Sequence, residues 1–231
     1  MNTIRNPGRL VGLIYLLVSL PGVFALLYVP GKLIVRGNAT ATAINIGRYE
    51  TLFRAGITAQ IVSQILFIGV ALALYDLFKQ VNRRHALMMF WLIAISAPIA
   101  WLNELNSIAA LTLVHGADFL SVFDKPQREA LAMLFLNLHR EGLGIASIFW
   151  GLWLFPLGVL VYRSGFVPHI LGALLIANGC SYVIISFTSL LLPQYAAIVG
   201  RWMSPLQFGE LIFMFWLLIV GAKPIAIVDK A

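Results

Sequence analysis

Six long apolar stretches run through this chain, and short polar segments separate them. A helix needs about 20 apolar residues to cross a hydrocarbon core of about 30 Å. The sequence therefore predicts six membrane-spanning helices, at about residues 10–29, 52–74, 86–113, 143–161, 167–192 and 206–221. The sixth stretch is short for a full crossing unless the bilayer is thin there or its ends reach outward.

The fourth apolar stretch begins well before its predicted span. Asp124 and Gln127 have capping-box spacing, which is typical of a helix start. The apolar pattern that follows covers about 37 residues, or about 55 Å of helix at 1.5 Å per residue. Gly142 and Gly144 favour a bend. We predict an interfacial or projecting segment at 126–138, a bend, and then the span; a separate seventh element is the alternative.

Composition supports a membrane location. The chain is 61% hydrophobic and only 11% charged, its mean hydropathy is +0.91, and soluble domains typically carry about 25% charged residues. No soluble core of this size could bury so much apolar surface. We predict an all-α fold, a polytopic transmembrane helical bundle, as a single integral membrane domain over residues 1–231.

The positive charges indicate lipid contacts and an orientation. Sixteen Lys and Arg against nine Asp and Glu give +7, but the bases are scattered, so anionic lipid headgroups are the expected partners and nucleic acid is not. The first stretch follows Arg5 and Arg9 and has no signal-peptide cleavage site, so we interpret it as a retained anchor. With cytoplasmic termini, each side holds eight Lys and Arg. Arg54 and Arg140 of the outer set are expected inside the bundle, which leaves eight against six, and Arg5 and Arg9 precede the first span, so we predict cytoplasmic termini.

Ionisable residues lie within or beside the spans, where a charge is costly and indicates a functional site. In the predicted orientation, four spans bring such groups to a similar depth in the extracytoplasmic half. We predict that they line one polar pocket, open to that side, which binds a small or lipid-like ligand. The candidate ligand-binding residues are Arg54, Glu104, His139, Arg140, Glu141 and Glu210. The polar residues expected to extend the pocket are Gln60, Gln64, Asn103, Asn106 and Asn178.

A purely structural interpretation of these residues stays open. Arg54 is placed to pair with Glu50 at i, i+4. Arg140 and Glu141 fit a membrane interface, and the buried carboxylates fit hydrogen bonds that hold helices together.

The sequence assigns no metal, cofactor or catalytic residue. His139, Glu141, Glu104 and Glu210 are chemically adequate metal ligands, but His139 and Glu141 are two residues apart and point to different helix faces. We therefore predict no metal site and no cofactor, and catalytic residues stay unknown. No CxxC, HExxH, P-loop or GxSxG motif occurs.

Small residues give only a weak cue for self-association. Gly8 and Gly12 form a GxxxG pair at the edge of the first span, a motif that lets helices approach closely. An oligomer is left open. The single Cys180 excludes an intrachain disulfide.

Several segments of the chain are similar to one known family. The run IFWGLWLFPLGVLVYRSG from Ile148 to Gly165 and its continuation FVPHILG, the LFRAG run that starts at Leu52, the LYDLFKQVNR run that starts at Leu74, and residues 10–22 resemble the bacterial membrane proteins catalogued as domain of unknown function 4386. The resemblance implies a multi-pass protein of the bacterial inner membrane. It implies no activity, so no site residue is carried over.

Three functions fit these patterns. The first is binding or transport of a small or lipid-like ligand in a pocket built around Arg54, Glu104 and Glu210. The second is a membrane assembly or signalling subunit without catalysis. The third, least favoured, is a metal-dependent intramembrane hydrolase that uses Glu104, His139 and Glu141. The sequence leans against an enzyme and does not identify a ligand.

Overall fold

The computed structural model describes residues 6–222, and this part of the chain is helical without a strand. The α-helices are α1 (Pro7–Val23), α2 (Val29–Leu33), α3 (Ala39–Arg48), α4 (Glu50–Phe78), α5 (Arg83–His115), α6 (Lys125–Leu152), α7 (Leu154–Arg163), α8 (His169–Leu191), α9 (Ala196–Met203) and α10 (Phe208–Ile219). A π-helix, Phe24–Tyr28, joins α1 to α2, and short 3-10 helices lie at Asp118–Leu120, Pro193–Tyr195 and Ser204–Gln207.

Six helical stretches in the described residues are long and apolar enough to cross a membrane. They are Pro7–Leu33, Glu50–Phe78, Arg83–His115, Lys125–Arg163, His169–Leu191 and Pro193–Ile219. The predicted all-α polytopic bundle with six spans is confirmed. Arg5, one of the two arginines that favour cytoplasmic termini, lies outside the described residues.

The first span continues past the residue where the sequence pattern ended it. Val29 donates its backbone N–H to Phe24 O, five residues back, which is the π-helical pattern. Pro30 follows directly and cannot donate a backbone hydrogen bond. The wider π turn lies one turn before this proline, and the helix continues to Leu33.

The fourth span is one long helical stretch made of α6 followed by α7, and the short break between them lies where the sequence did not predict one. The capping box is present, since Asp124 and Gln127 exchange hydrogen bonds of 3.0 and 2.8 Å. The helix is not interrupted at Gly142 and Gly144, where a bend was expected, because α6 runs through both. The interruption falls at Trp153 instead, because Pro156 leaves the carbonyl of Leu152 without a helical partner.

Two helical segments were not predicted. Helix α3 begins after Asn38, whose side-chain oxygen accepts from Ala41 N at 2.9 Å as an N-cap. The segment before the sixth span is helical as well, in α9 and the two flanking 3-10 turns, and it lengthens the short sixth stretch to 27 residues.

The structure divides into two compact units, each made of separate parts of the chain. Of the described residues, the first unit takes in 6–18, 66–96 and 146–222, and the second takes in 19–65 and 97–145. The prediction of a single integral membrane domain over residues 1–231 stays a prediction.

The first unit has a large apolar core and a close helix pair. Trp153, Phe78 and Phe213 are fully buried there. Helices α7 and α8 pack through glycines: a Cβ at Gly158 would lie 2.8 Å from Gly172 O. The backbones therefore approach without an intervening side chain.

The GxxxG pair at the start of the first span is used inside the chain. A Cβ at Gly8 would collide with the backbone of Ala222, and one at Gly12 with the backbone of Leu218. Gly8 N also donates to Ala222 O at 3.0 Å. The motif brings the first and last spans of the first unit together, so it lends no support to an oligomer.

The second unit has a smaller apolar core, and polar residues lie beside it. Leu33 and Ile46 are fully buried, and Ala110, Ala132 and Leu136 pack in the same cluster. These residues come from α2, α3, α5 and α6. The polar side chains described next lie on α4, α5 and α6 in this unit.

Candidate functional site

A carboxylate and an imidazole meet in the second unit. His139 Nε2 on α6 lies 2.9 Å from Glu104 Oε1 on α5. The side chain of Glu104 is only 4% exposed and that of His139 is 20% exposed. A buried carboxylate needs such a partner, because its desolvation is costly. The pair therefore links two spans at a point where a ligand could reach the histidine.

Two asparagines hold the helix backbone beside this pair. Asn103 Nδ2 donates to the backbone carbonyl of His139 at 2.8 Å, and Asn106 Nδ2 donates to Asn103 Oδ1 at 3.0 Å. A Cβ at Gly142 would collide with the Asn103 side chain. The absence of a side chain at Gly142 thus lets α6 come close enough to fix the position of His139.

A small cavity, here called the inner chamber, opens beside the pair. Its polar lining is Gln60, Glu104, Ser107 and His139, and its apolar lining includes Phe53. The cavity volume is about 40 Å³. Gln60 is 3% exposed, and neither its Nε2 nor its Oε1 has a hydrogen-bond partner in the described part of the chain.

A wider groove, here called the outer groove, adjoins the chamber. Its cavity volume is about 390 Å³. Its charged and titratable lining residues are Arg36, His139 and Arg140, and its other walls are mainly apolar. His139 lines both cavities, and so do Leu26 and Leu136. The histidine therefore stands at the junction of the two spaces.

The π-helix supplies one wall of both cavities. Ala25 and Leu26 line the chamber and the groove, and Leu27 lines the groove. An extra residue in a helical turn rotates the following side chains, and such turns are frequent at functional sites. Pro30, which follows the π-helix, lines both spaces as well.

The predicted site residue Arg54 lies elsewhere on the surface of the second unit. Its Nε lies 2.6 Å from Glu50 Oε1, and its side chain is 60% exposed. His115 Nε2 approaches the other oxygen of Glu50 at 3.1 Å. Arg54 thus forms the local ion pair with Glu50 that its i, i+4 spacing predicts, and it lines neither cavity.

The remaining predicted residues form two separate contacts. Arg140 Nη2 lies 3.1 Å from Glu141 Oε1, and both side chains are exposed. Arg140 lines the outer groove, whereas Glu141 does not. Glu210 belongs to the first unit, where it accepts a hydrogen bond from the Tyr15 hydroxyl. Of the six predicted site residues, Glu104 and His139 therefore contact each other, and Arg140 lines the same groove as His139. The other three contact residues outside this pair: Arg54 contacts Glu50, Glu141 contacts Arg140, and Glu210 contacts Tyr15.

The chemistry of the site is hydrogen bonding and charge. Among residues 6–222, no group of three or more His, Cys, Asp and Glu side chains is arranged to hold a metal ion. Glu104 and His139 form a pair, and Glu141 lies with Arg140 on the exposed side. The arrangement can accept hydrogen-bonding groups inside and an anion at the groove.

Sequence reasoning missed three lining residues. Arg36 follows the first span and belongs to no motif, and Ser107 and Asn137 carry no motif either. Ser107 does follow Glu104 at i+3, so it shares its helix face, and this spacing was a usable signal. No sequence signal places Arg36 and Arg140 in the lining of one groove.

These features define a multi-pass helical membrane protein with a polar site inside one of its compact units. The chain belongs to the family described as domain of unknown function (DUF4386), which matches residues 10–221. It is 33% identical over 159 residues to an uncharacterized protein of Archaeoglobus fulgidus, an alignment that covers 69% of this chain and 79% of that relative. No solved structure is significantly similar to this chain. The resemblance noted from the sequence is confirmed.

Proposed function

We propose that this protein binds a lipid-like ligand with an acidic head group in the outer groove. The observation that carries the proposal is the combination of apolar walls with Arg36 and Arg140 in one cavity of about 390 Å³. Known ligand pockets measure about 300–1,000 Å³ and combine apolar walls with a few polar groups. The groove fits that description.

The apolar walls favour an alkyl chain. Leu27, Ile34, Met133 and Leu143 line the groove away from the arginines. Burial of an alkyl chain gains about 0.8 kcal/mol per CH₂ group when the chain leaves water. Within a membrane the chain exchanges one apolar environment for another, so the polar end of the ligand must provide most of the selectivity.

The two arginines favour an acidic head group. Arg36 forms no ion pair with the residues that the structure describes, and Arg140 shares its charge only with the exposed Glu141. A guanidinium can bind a carboxylate or phosphate through two parallel hydrogen bonds. One acidic group in the groove would offset the positive charge that these side chains bring to its lining.

His139 gives the site a second kind of recognition. A carboxylate only accepts hydrogen bonds, so Glu104 is satisfied by a proton on His139 Nε2. In a neutral imidazole, Nδ1 is then an acceptor, and no described residue donates to it. A ligand hydroxyl at the junction of groove and chamber would fill that position.

The alternatives have less support. A metal-dependent hydrolase would need a third ligand beside Glu104 and His139, and the described residues supply none in reach. An assembly subunit predicts an exposed small-residue face, whereas Gly8 and Gly12 are covered within the chain.

Replacement of Arg140 by glutamine is expected to weaken binding of an alkyl phosphate about tenfold or more. The reason is the loss of a charge-assisted hydrogen bond, which contributes about 1.5–3 kcal/mol. Binding would be measured by competition against a fluorescent alkyl phosphate, with the protein in phosphatidylcholine nanodiscs.

Arg54→Gln is the matched control for this experiment. It removes the same charge from an arginine that lines neither cavity and already pairs with Glu50. It should leave the affinity within about twofold. Equal weakening by both variants, or no saturable binding by the wild type, would overturn the proposed function.

We also propose a location in the bacterial inner membrane, cytoplasmic termini and a site that opens to the extracytoplasmic side. Ser121 lies between the third and fourth spans, and Lys79 between the second and third. In a Cys180→Ala background, an impermeant maleimide added to intact cells should label Ser121→Cys and spare Lys79→Cys. The opposite labelling pattern would reverse the orientation.

A further inference from the structure

We infer that the inner chamber is a subsite for a neutral hydroxyl group carried by the ligand of the outer groove. The inference rests on the proposed function and names the class of ligand more closely: an alkyl compound whose acidic head group also bears a hydroxyl, as an alkylglycerol phosphate does. The residues that make the subsite are Gln60, Ser107, Glu104 and His139.

Gln60 provides the first argument. A buried amide offers two donors and an acceptor with two lone pairs. Gln60 is only 3% exposed. Nevertheless, neither atom of its side-chain amide forms a hydrogen bond with a described residue. Most buried polar side-chain atoms in proteins have a partner. The residue lines the chamber, so the chamber is where its partner would bind.

The other polar residues converge on the same space from different helices. Gln60 comes from α4, Glu104 and Ser107 come from α5, and His139 comes from α6. Glu104 and Ser107 are 3% and 4% exposed. Together they present an amide donor and acceptor, a hydroxyl and a carboxylate. A hydroxyl group, which both donates and accepts, is complementary to that set.

The size and charge of the chamber exclude larger or acidic groups. A cavity needs about 10–15 Å³ to hold one water molecule, so about 40 Å³ holds about three water-sized groups. A hydroxymethyl or secondary alcohol fits, whereas a phosphate does not. An anion would also lie beside the Glu104 carboxylate, and like charges at such distances repel. The acidic group therefore stays with Arg36 and Arg140 in the outer groove.

The connection between the two spaces sets the order of the ligand's groups. His139 lines both the groove and the chamber, and so do Ala25 and Pro30. A ligand that places its acid at the arginines can reach past His139 with an adjacent hydroxyl. The hydroxyl and the acid must therefore lie on neighbouring parts of the same head group.

Two probes that differ by one hydroxyl test this inference. An ether-linked alkylglycerol phosphate would be compared with its deoxy analogue, which lacks only the glycerol hydroxyl, in phosphatidylcholine nanodiscs. The wild type should bind the hydroxylated probe about tenfold more tightly, because one well-formed neutral hydrogen bond can change an affinity by up to about that factor. Gln60→Leu should remove most of this preference and leave the affinity for the deoxy probe within about twofold.

Gln64→Leu is the matched control. Gln64 lies one turn further along α4 and is 5% exposed, and its Oε1 has no hydrogen-bond partner among residues 6–222. It does not line the chamber. This variant should keep the preference. Thermal unfolding of Gln60→Leu should be unchanged or shifted upward, because the substitution removes an unsatisfied buried amide; this readout separates loss of recognition from loss of folding.

The outcomes separate the two proposals. Saturable and equal binding of both probes by the wild type overturns the hydroxyl subsite and leaves the groove intact. Absence of saturable binding of either probe overturns the proposed function itself. A preference that survives in Gln60→Leu would also overturn the assignment of Gln60, whatever the result for Gln64→Leu.

Discussion

Replacement of Gly158 by leucine is expected to destabilise the first unit by about 3 kcal/mol or more and to prevent recovery of folded protein. A Cβ at this position would already lie 2.6 Å from Ile176 Cγ1 and 2.8 Å from Gly172 O. The second contact is to backbone, which cannot rotate away, so α7 and α8 must separate. Overpacking of a tight core costs about 1–3 kcal/mol, and here the whole helix interface would have to shift as well.

The interface is reciprocal, and this makes the expected effect large. A Cβ at Gly172 would lie 2.6 Å from Gly158 O, and one at Gly179 would lie 2.8 Å from Gly151 O. The two glycines on each side of the contact are seven residues apart, which is about two helical turns. Each glycine thus makes room for the backbone of the glycine opposite. Leucine at any of the four should act in the same direction.

Gly69→Leu is the matched control for this prediction. Gly69 lies in the middle of α4, belongs to the same unit, and a Cβ there would meet nothing within 4 Å. Glycine in a helix interior is about 0.8–1.0 kcal/mol less favourable than alanine, and leucine ranks close to alanine, so helix propensity favours the substitution. Fluorescence-detected size exclusion and thermal unfolding in detergent should show loss of Gly158→Leu and retention of Gly69→Leu. Similar melting temperatures for both variants would show that the close packing contributes little.

Much of the fold follows from the length of the apolar runs. The prediction of a span at about 167–192 differs from α8, His169–Leu191, by only one or two residues at each end. Lipid requires a run of about 20 apolar residues in helical form, whatever the neighbouring helices are. The predicted helix boundaries were wrong where a proline or a capping residue determines them. Pro156 interrupts the fourth span, and Asn38 caps the start of α3.

The candidate site was only partly predictable. Spacing predicted that His139 and Glu141 point to different faces, and they do, since His139 contacts Glu104 and Glu141 contacts Arg140. Contacts between different helices could not be predicted in this way. Glu104 and His139 are 35 residues apart in the sequence, and only tertiary packing brings them together. A single sequence contains no periodicity that specifies such a pair.

Replacement of His139 by leucine is expected to cost about 3–5 kcal/mol of stability. The reason is that Glu104, whose side chain is 4% exposed, would keep a buried carboxylate without its partner. Removal of one member of a buried pair leaves an uncompensated polar or charged group, and such changes are strongly destabilising. Thermal unfolding in detergent would show a lowered melting temperature.

The double variant Glu104→Leu/His139→Leu distinguishes this cause from a simple loss of packing. With both polar groups replaced by apolar ones of similar size, the penalty should largely disappear, because a buried pair is often no more stable than apolar residues. Glu104→Leu alone should cost less than His139→Leu, since His139 is 20% exposed and can reach the outer groove. If the double variant is as unstable as the sum of the single ones, the two residues are not coupled.

The same variants connect stability with recognition. Glu104→Gln keeps an oxygen that can accept from His139 Nε2, so it should retain most of the stability that Glu104→Leu loses. It also removes the negative charge that keeps acidic groups out of the inner chamber. Restored stability together with a weaker preference for the hydroxylated probe would mean that Glu104 both supports His139 and selects the neutral group. Restored stability with an unchanged preference would restrict Glu104 to holding the two helices together.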